Sequence, residues 1–89
     1  MSTVFIAFQR TDEVRGIVEA IMQDNPEAQL DEQPGMVKVN ANGRLVVKRE
    51  TVSDKLGRDF DLQEMHVYLI TLSGNIDEDD DQFVLAWKH

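Results

Sequence analysis

The apolar positions of residues 12–25 predict one amphipathic helix. They recur at i, i+3, i+4, i+7 and i+8 and comprise Val14, Ile17, Val18, Ile21 and Met22. Thr11 or Asp12 can cap the start of this helix with a side-chain oxygen. Pro26 ends it, because the residue before a proline is disfavoured in the helical region.

Six shorter segments have the pattern of strands. Residues 3–9 are apolar on both faces, whereas residues 36–40 alternate like a half-exposed strand. Pro34-Gly35 is suited to a type II turn. Asn42-Gly43 predicts a hairpin that makes residues 44–49 the antiparallel neighbour of residues 36–40. The remaining strand segments are residues 28–33, which are weakly patterned, residues 67–72 and residues 82–87.

Two capping signals predict helical turns in the second half of the chain. Thr51 to Asp54 is a capping-box variant that opens a short helix, and Gly57 is a typical residue to end it. Asp61 to Glu64 is a better box and starts another helical turn. The order of elements is therefore strand, helix, strand, strand, repeated once. It predicts an α+β fold of two consecutive βαββ units, which form a sheet-and-helix sandwich as a single domain over residues 1–89.

Composition narrows the classes of function. The chain has 89 residues, a formal net charge of -8 and no cysteine. This charge argues against a nucleic-acid partner, and the lack of cysteine excludes disulfides and thiolate metal sites. The longest unbroken apolar run is too short to cross a bilayer, and nothing has the pattern of a signal peptide, so we expect no membrane partner and a cytoplasmic protein. A basic stretch in mid-chain, against an acidic C-terminal third, would orient the molecule as it meets a charged protein partner.

The densest chemical feature is the run of five acids from Asp77 to Asp81. Its first, third and fifth residues have the opening spacing of a calcium loop. That loop also requires Gly at its sixth position and Glu at its twelfth, where this chain has Gln82 and Lys88. We therefore expect a solvated acidic loop between two strands and no metal site.

No other residues suggest catalysis or a cofactor site. The two histidines are His66, at a helix–strand junction, and His89, the last residue of the sequence. Asp61 and Glu64 could form an acid/base pair, but capping explains both more simply. The aromatic residues are best interpreted as core, because four of the six lie in the first and last strands. These eliminations leave a small acidic protein that works by binding another protein.

The chain resembles the effector (regulatory, or coupling) proteins of bacterial multicomponent phenol hydroxylases, which are related to the effectors of toluene and methane monooxygenases. The resemblance covers essentially the whole chain, and the acidic run is its most specific part. It rests on residues 4–9 (VFIAFQ), 17–21 (IVEAI), 24–26 (DNP), 49–52 (RETV), 56–58 (LGR), 62–65 (LQEM) and 74–87.

The resemblance implies a cofactor-free, non-catalytic regulatory component that binds the hydroxylase of a diiron monooxygenase. In this family the effector docks in a canyon above helices that carry iron ligands, and it tunes the active site for phenol hydroxylation. NADH-dependent activity belongs to the assembled system. The long N-terminal tail of the methane-branch effectors is not carried over, because the first strand here is predicted from about residue 3.

For this partner we expect contacts from the sheet and its loops. The candidates are Asn75, Ile76 and Asp77 in the acidic loop, with Met36 and Asn42 as weaker ones. An apolar residue such as Ile76 inside a solvated loop either folds back onto the core or anchors a partner. Three alternatives stay open: a small ligand-sensing regulatory domain of βαββ type, a small enzyme that uses Asp and Glu alone, and a weak homodimer.

Overall fold

A computed structural model describes residues 3–87 of the chain. Within this range the strands are β1 (Thr3–Gln9), β2 (Gln29–Gln33), β3 (Met36–Asn42), β4 (Arg44–Lys48), β5 (Leu69–Ser73), β6 (Asn75–Glu78) and β7 (Gln82–Ala86). The helices are α1 (Asp12–Asp24), α2 (Arg49–Leu56) and α3 (Met65–Tyr68), and Leu62–Glu64 forms one 3-10 turn. The predicted α+β class is confirmed.

The strands form two antiparallel sheets, which take their strands from both halves of the chain. The first sheet has the order β2-β3-β1-β5, and the second has the order β4-β7-β6. The two successive βαββ segments therefore interleave, since β5 from the second half pairs with β1 from the first. One hydrophobic cluster joins both sheets and the helices, so residues 3–87 share one core.

The predicted hairpin between residues 36–40 and 44–49 is wrong. Gly43 has the positive φ of 81° expected at such a turn, yet β4 leaves the first sheet and pairs with β7. Leu45 and Val47 alternate with more exposed residues of β4, and both are fully buried. Alternation determines which face of a strand is buried, whereas the choice of partner strand depends on tertiary packing.

Helix α1 has the predicted bounds and buried stripe. The Thr11 hydroxyl accepts a hydrogen bond from the Val14 N–H at 3.2 Å, and Asn25 caps the C-terminal end. In contrast, α2 begins at Arg49 rather than at Thr51 and has no side-chain cap at its start. It ends at Gly57 with a φ of 71°, as predicted.

The capping box of Asp61 and Glu64 is confirmed. The Asp61 carboxylate accepts from the Gln63 N–H at 3.0 Å, while the Glu64 carboxylate accepts from the Asp61 N–H at 2.9 Å. Both carboxylates of the imagined acid/base pair therefore serve the start of the 3-10 turn. In residues 3–87 no helix is long and apolar enough to cross a membrane.

Candidate partner-binding surface

The acidic segment is a strand and a tight turn rather than the predicted loop. Asn75–Glu78 forms β6, which pairs with β7 along its whole length and leaves only three acids, Asp79 to Asp81, in the connection. Sequence alone favours a loop here, because Asn, Asp and Glu have low strand propensity. The open side of β7 supplies hydrogen-bond partners that outweigh this propensity.

Gly74 makes the sharp passage from β5 to β6 possible. Its φ is 140°, and a Cβ at this position would lie 2.9 Å from Leu85 Cγ and 3.1 Å from Val4 Cγ1. Only glycine combines this backbone conformation with so close an approach to core side chains. The chain thus crosses from the edge of the first sheet to the edge of the second within one residue.

The three principal candidates, Asn75, Ile76 and Asp77, all lie exposed on this edge strand. Ile76 stands opposite Leu85, which is fully buried, so the two side chains share the core-facing side of the second sheet. Ile76 nevertheless remains 47% exposed, because no strand formed by residues 3–87 covers β6 on its outer side. It thus lies at the open margin of the core rather than folding fully into it.

Asn42 lies at the same end of the molecule as Asn75, and Trp87 connects the two. Asn42 pairs with Thr3, and the Trp87 indole N–H donates to the Thr3 carbonyl at 3.0 Å. Asn75 stands opposite Ala86, the neighbour of Trp87 in the chain. The assignment of Trp87 to the core is wrong, since the residue is 39% exposed. The last strand ends one residue earlier than predicted, and the indole lies along the rim of the sheets.

Met36 lies apart from the other candidates. It is half-buried at the opposite end of β3 from Asn42, about 20 Å away along a seven-residue strand, and it pairs with Gln9. A contact surface centred on Asn42 and Asn75 therefore does not extend to Met36.

The structure adds two exposed apolar residues that the sequence pattern did not distinguish. Residues 67 and 68 continue the helical turn that follows the capping box, so β5 begins at Leu69 instead of Val67. Val67 is consequently 70% exposed on α3. Ile70 is 48% exposed at a β-bulge, because Phe8 pairs with Leu69 while Ala7 pairs with Thr71. The preceding capping box is the signal that could have indicated the longer helix. Val67, Ile70 and Ile76 are called the edge patch below.

Asp79 and Asp81 hold the turn beside the edge patch in place. Asp79 accepts from the N–H groups of Gln82 at 2.9 Å and Asp81 at 2.8 Å, and these two hydrogen bonds, in that order, lower the pKa of its carboxyl. The Asp81 carbonyl accepts from the Arg49 N–H at 2.9 Å and ties the turn to α2. Among residues 3–87 no group of His, Cys, Asp or Glu is arranged to hold a metal ion.

Two further side chains, His66 and Arg58, contact carboxylates of neighbouring elements. His66 is exposed, and its Nε2 lies 3.4 Å from Glu78 Oε2, which tethers α3 to the end of β6. His89 lies outside the described residues. Arg58 bridges Glu13 at 2.8 Å and Glu64 at 3.2 Å, and its hydrogen bond is the main reason that the pKa of the Glu64 carboxyl is lowered. These pairs hold neighbouring elements together at the surface.

Comparisons with known proteins agree along the full length. The model of the MmoB/DmpM family matches residues 2–86. The chain is 54% identical over 88 residues to the phenol 2-monooxygenase stimulatory component DmpM of Pseudomonas sp. (strain CF600), covering 99% of this chain and 98% of that protein.

Two solved structures have the same fold. A chain from a phenol hydroxylase–regulatory protein complex superposes with a TM-score of 0.93 at 50% identity, covering 98% of this chain and 100% of that one. The regulatory protein B of soluble methane monooxygenase superposes with a TM-score of 0.77 at 23% identity, covering 97% of this chain and 65% of that one. This second likeness concerns the fold alone.

Proposed function

The chain belongs to the MmoB/DmpM family, and we propose that it is the stimulatory, regulatory component of a multicomponent phenol hydroxylase. In this role it binds the hydroxylase and performs no catalytic step itself. The observation that carries the proposal is the match at 54% identity over 99% of the chain to a stimulatory component. A match of this extent favours the regulatory component over a ligand-sensing domain. We take all 89 residues as one effector domain. The NADH-dependent activity that the family resemblance implies for the assembled system favours a cytoplasmic location.

Such a protein acts through its binding energy. A protein without redox groups shifts a partner's equilibrium only by binding one conformation better than another. A coupling free energy of about 1–3 kcal/mol changes the population of the favoured conformation roughly fivefold to 150-fold. The small single core and the two sheets supply a stable shape for this purpose, and the exposed edges of β5 and β6 supply contact area.

The proposed contacts start from Asn75, Ile76 and Asp77 on β6. Asn42 lies at the same end of the molecule and can extend the contact past Trp87. Met36, at the far end of β3, is the weakest of the proposed contacts.

The test is steady-state oxidation of phenol by purified hydroxylase and reductase, with and without this protein. We expect the protein to raise the turnover rate and the amount of product formed per NADH consumed. A urea-unfolded sample, added after dilution under conditions that prevent refolding, controls for nonspecific effects of added protein. Unchanged turnover together with an unchanged product yield per NADH would refute the proposal.

A further inference from the structure

We propose that the edge patch and the carboxylates beside it form the surface that docks on the hydroxylase, against an apolar groove rimmed by Lys and Arg. This inference rests on the proposed function. It adds which residues of this chain make the contact and which chemistry they require of the partner.

Exposed apolar side chains are concentrated in one short part of the described chain. Five large hydrophobic residues are exposed among residues 3–87, and the edge patch supplies three of them, within residues 67–78. The other two are Leu30 on β2 and Trp87. Scattered exposed hydrophobics are ordinary, whereas a patch formed by neighbouring elements marks an interaction surface. Gly74 alone separates β5 from β6, and His66 on α3 lies 3.4 Å from Glu78 at the end of β6, so the elements that carry these three side chains adjoin one another.

The two strands that carry Ile70 and Ile76 are both sheet edges. β5 ends the first sheet and β6 ends the second, so in the part of the chain that the structure describes each has one side without a strand partner. Natural edges are commonly protected by Lys or Pro, and residues 69–78 contain neither of these, nor Arg. The open margin of the core at Ile76 and the open strand edges can therefore be covered together by one partner surface.

Charge determines the kind of partner. Asp77, Glu78 and the three acids of the following turn border Ile76, and Glu78 shares its side of the sheet because it stands opposite the buried Phe83. Within residues 3–87 no Lys or Arg pairs with these acids, and Glu78 contacts only the His66 ring, at 3.4 Å. A Lys- or Arg-rimmed groove complements these acids. A second copy of this chain would bring two like-charged edges together, and each copy has a net charge of -8.

Binding of labelled protein to purified hydroxylase, followed by fluorescence anisotropy, tests the surface. We expect Ile76→Ser to raise the Kd at least tenfold and Val67→Ser to raise it at least threefold. The matched control is Leu30→Ser, because Leu30 is 43% exposed and also stands at a sheet edge opposite a buried residue, Val39. It should leave the Kd within twofold of wild type. Circular dichroism and thermal melts check that all variants are folded. Val67 is 70% exposed, so Val67→Ser should fold and test the surface even if Ile76→Ser does not fold.

A charge variant tests the chemistry assigned to the partner. Asp77→Asn should weaken binding and flatten the dependence of Kd on salt concentration, because one carboxylate no longer contributes to the attraction. If the Kd of Asp77→Asn and that of wild type depend equally on salt concentration, the assignment of Lys and Arg to the rim of the partner's groove is wrong.

The outcomes separate this inference from the proposed function. If wild type binds and stimulates the hydroxylase while folded Ile76→Ser and Val67→Ser bind as well as wild type, the docking surface is wrong and the function stands. If wild type neither binds nor stimulates, the proposed function fails. If Ile76→Ser changes only self-association, measured by sedimentation, the edge patch is a dimer contact and the inference is overturned.

Discussion

Replacing Asn25 tests how the second sheet is attached to α1. The Asn25 side chain donates to the Val46 carbonyl at 2.6 Å and to the Ile21 carbonyl at 2.8 Å, while its Oδ1 accepts from the Val46 N–H at 3.0 Å. Val46 lies in the middle of β4, an edge strand of the second sheet. In an antiparallel pair the N–H and C=O of every second residue point away from the partner strand. One amide thus satisfies the outward groups of an edge strand and a carbonyl of the last helical turn.

The expected loss can be calculated from these three contacts. Each hydrogen bond contributes about 0.5–1.5 kcal/mol net, and water can reach part of the site because Asn25 is only half-buried. We therefore expect Asn25→Ala to lower the free energy of unfolding by about 2–3 kcal/mol. For a domain of this size the melting temperature should fall by roughly 10–20 °C.

Asn25→Asp distinguishes hydrogen bonding from simple loss of volume. Aspartate keeps an acceptor for the Val46 N–H but places a carboxylate oxygen against two carbonyls. It also adds negative charge at a helix C-terminus, where negative charge is unfavourable. At neutral pH it should destabilise at least as much as Ala, and by less at acidic pH where the carboxylate is protonated.

Urea unfolding followed by circular dichroism measures these changes. Asn42→Ala is the control, because Asn42 is exposed and makes no side-chain hydrogen bond within residues 3–87; its unfolding free energy should stay within about 0.5 kcal/mol of wild type. A loss below about 0.5 kcal/mol for Asn25→Ala, or an Asp variant more stable than the Ala variant at neutral pH, would refute the reasoning.

Three further predictions concern the turns and the rim. Gly74→Ala should lower the free energy of unfolding by about 3 kcal/mol, because it adds backbone strain and overlap with core side chains. Gly35 has a φ of 77° and no atom within 4 Å of an added Cβ, so Gly35→Ala should cost only about 1 kcal/mol. Equal losses in urea unfolding would contradict the packing argument. The pKa of Asp79 is lower in the folded than in the unfolded protein, so its stabilising effect is complete above about pH 4 and is lost as pH falls through the folded value. Asp79→Asn should therefore show a stability deficit at neutral pH that narrows below about pH 4, and a constant deficit would argue against this linkage. Trp87→Phe removes the 3.0 Å bond to the Thr3 carbonyl and should cost about 1 kcal/mol in the same assay, and no measurable loss would show that the rim contact is not stabilising.

The edge patch and the fold share one physical cause. β5 is the last strand of the first sheet and β6 the last strand of the second, and these two strands are not paired with each other. The open edges at β5 and β6 leave apolar margin exposed, and in a family that works by binding, such a margin is available to the partner. β6 carries the acids Asp77 and Glu78, and neither edge strand carries a lysine; the acids discourage pairing between copies of the chain.

Sequence alone determined the features that depend on neighbours along the chain. The 3.6-residue period and Pro26 defined α1, and its observed bounds, Asp12–Asp24, agree with that prediction. The capping box at Asp61 and the helix end at Gly57 were also predictable, because each depends on contacts within four residues. The α+β class followed from the order of such local signals, and Ile76 stood out as an apolar residue among acids.

Tertiary structure decided the pairing of strands and the exposure of the surface. β4 pairs with β7 instead of with β3, and the paired residues lie between 34 (Lys48↔Gln82) and 42 (Arg44↔Ala86) positions apart in the sequence. Alternation specifies which face of a strand is buried and not which strand it pairs with. Asn75–Glu78 became a strand only because β7 had an open side. The exposure of Val67 and Ile70 depends on where α3 ends and where β5 bulges against β1. These features arise from contacts between segments distant in sequence, so a local pattern could not reveal them.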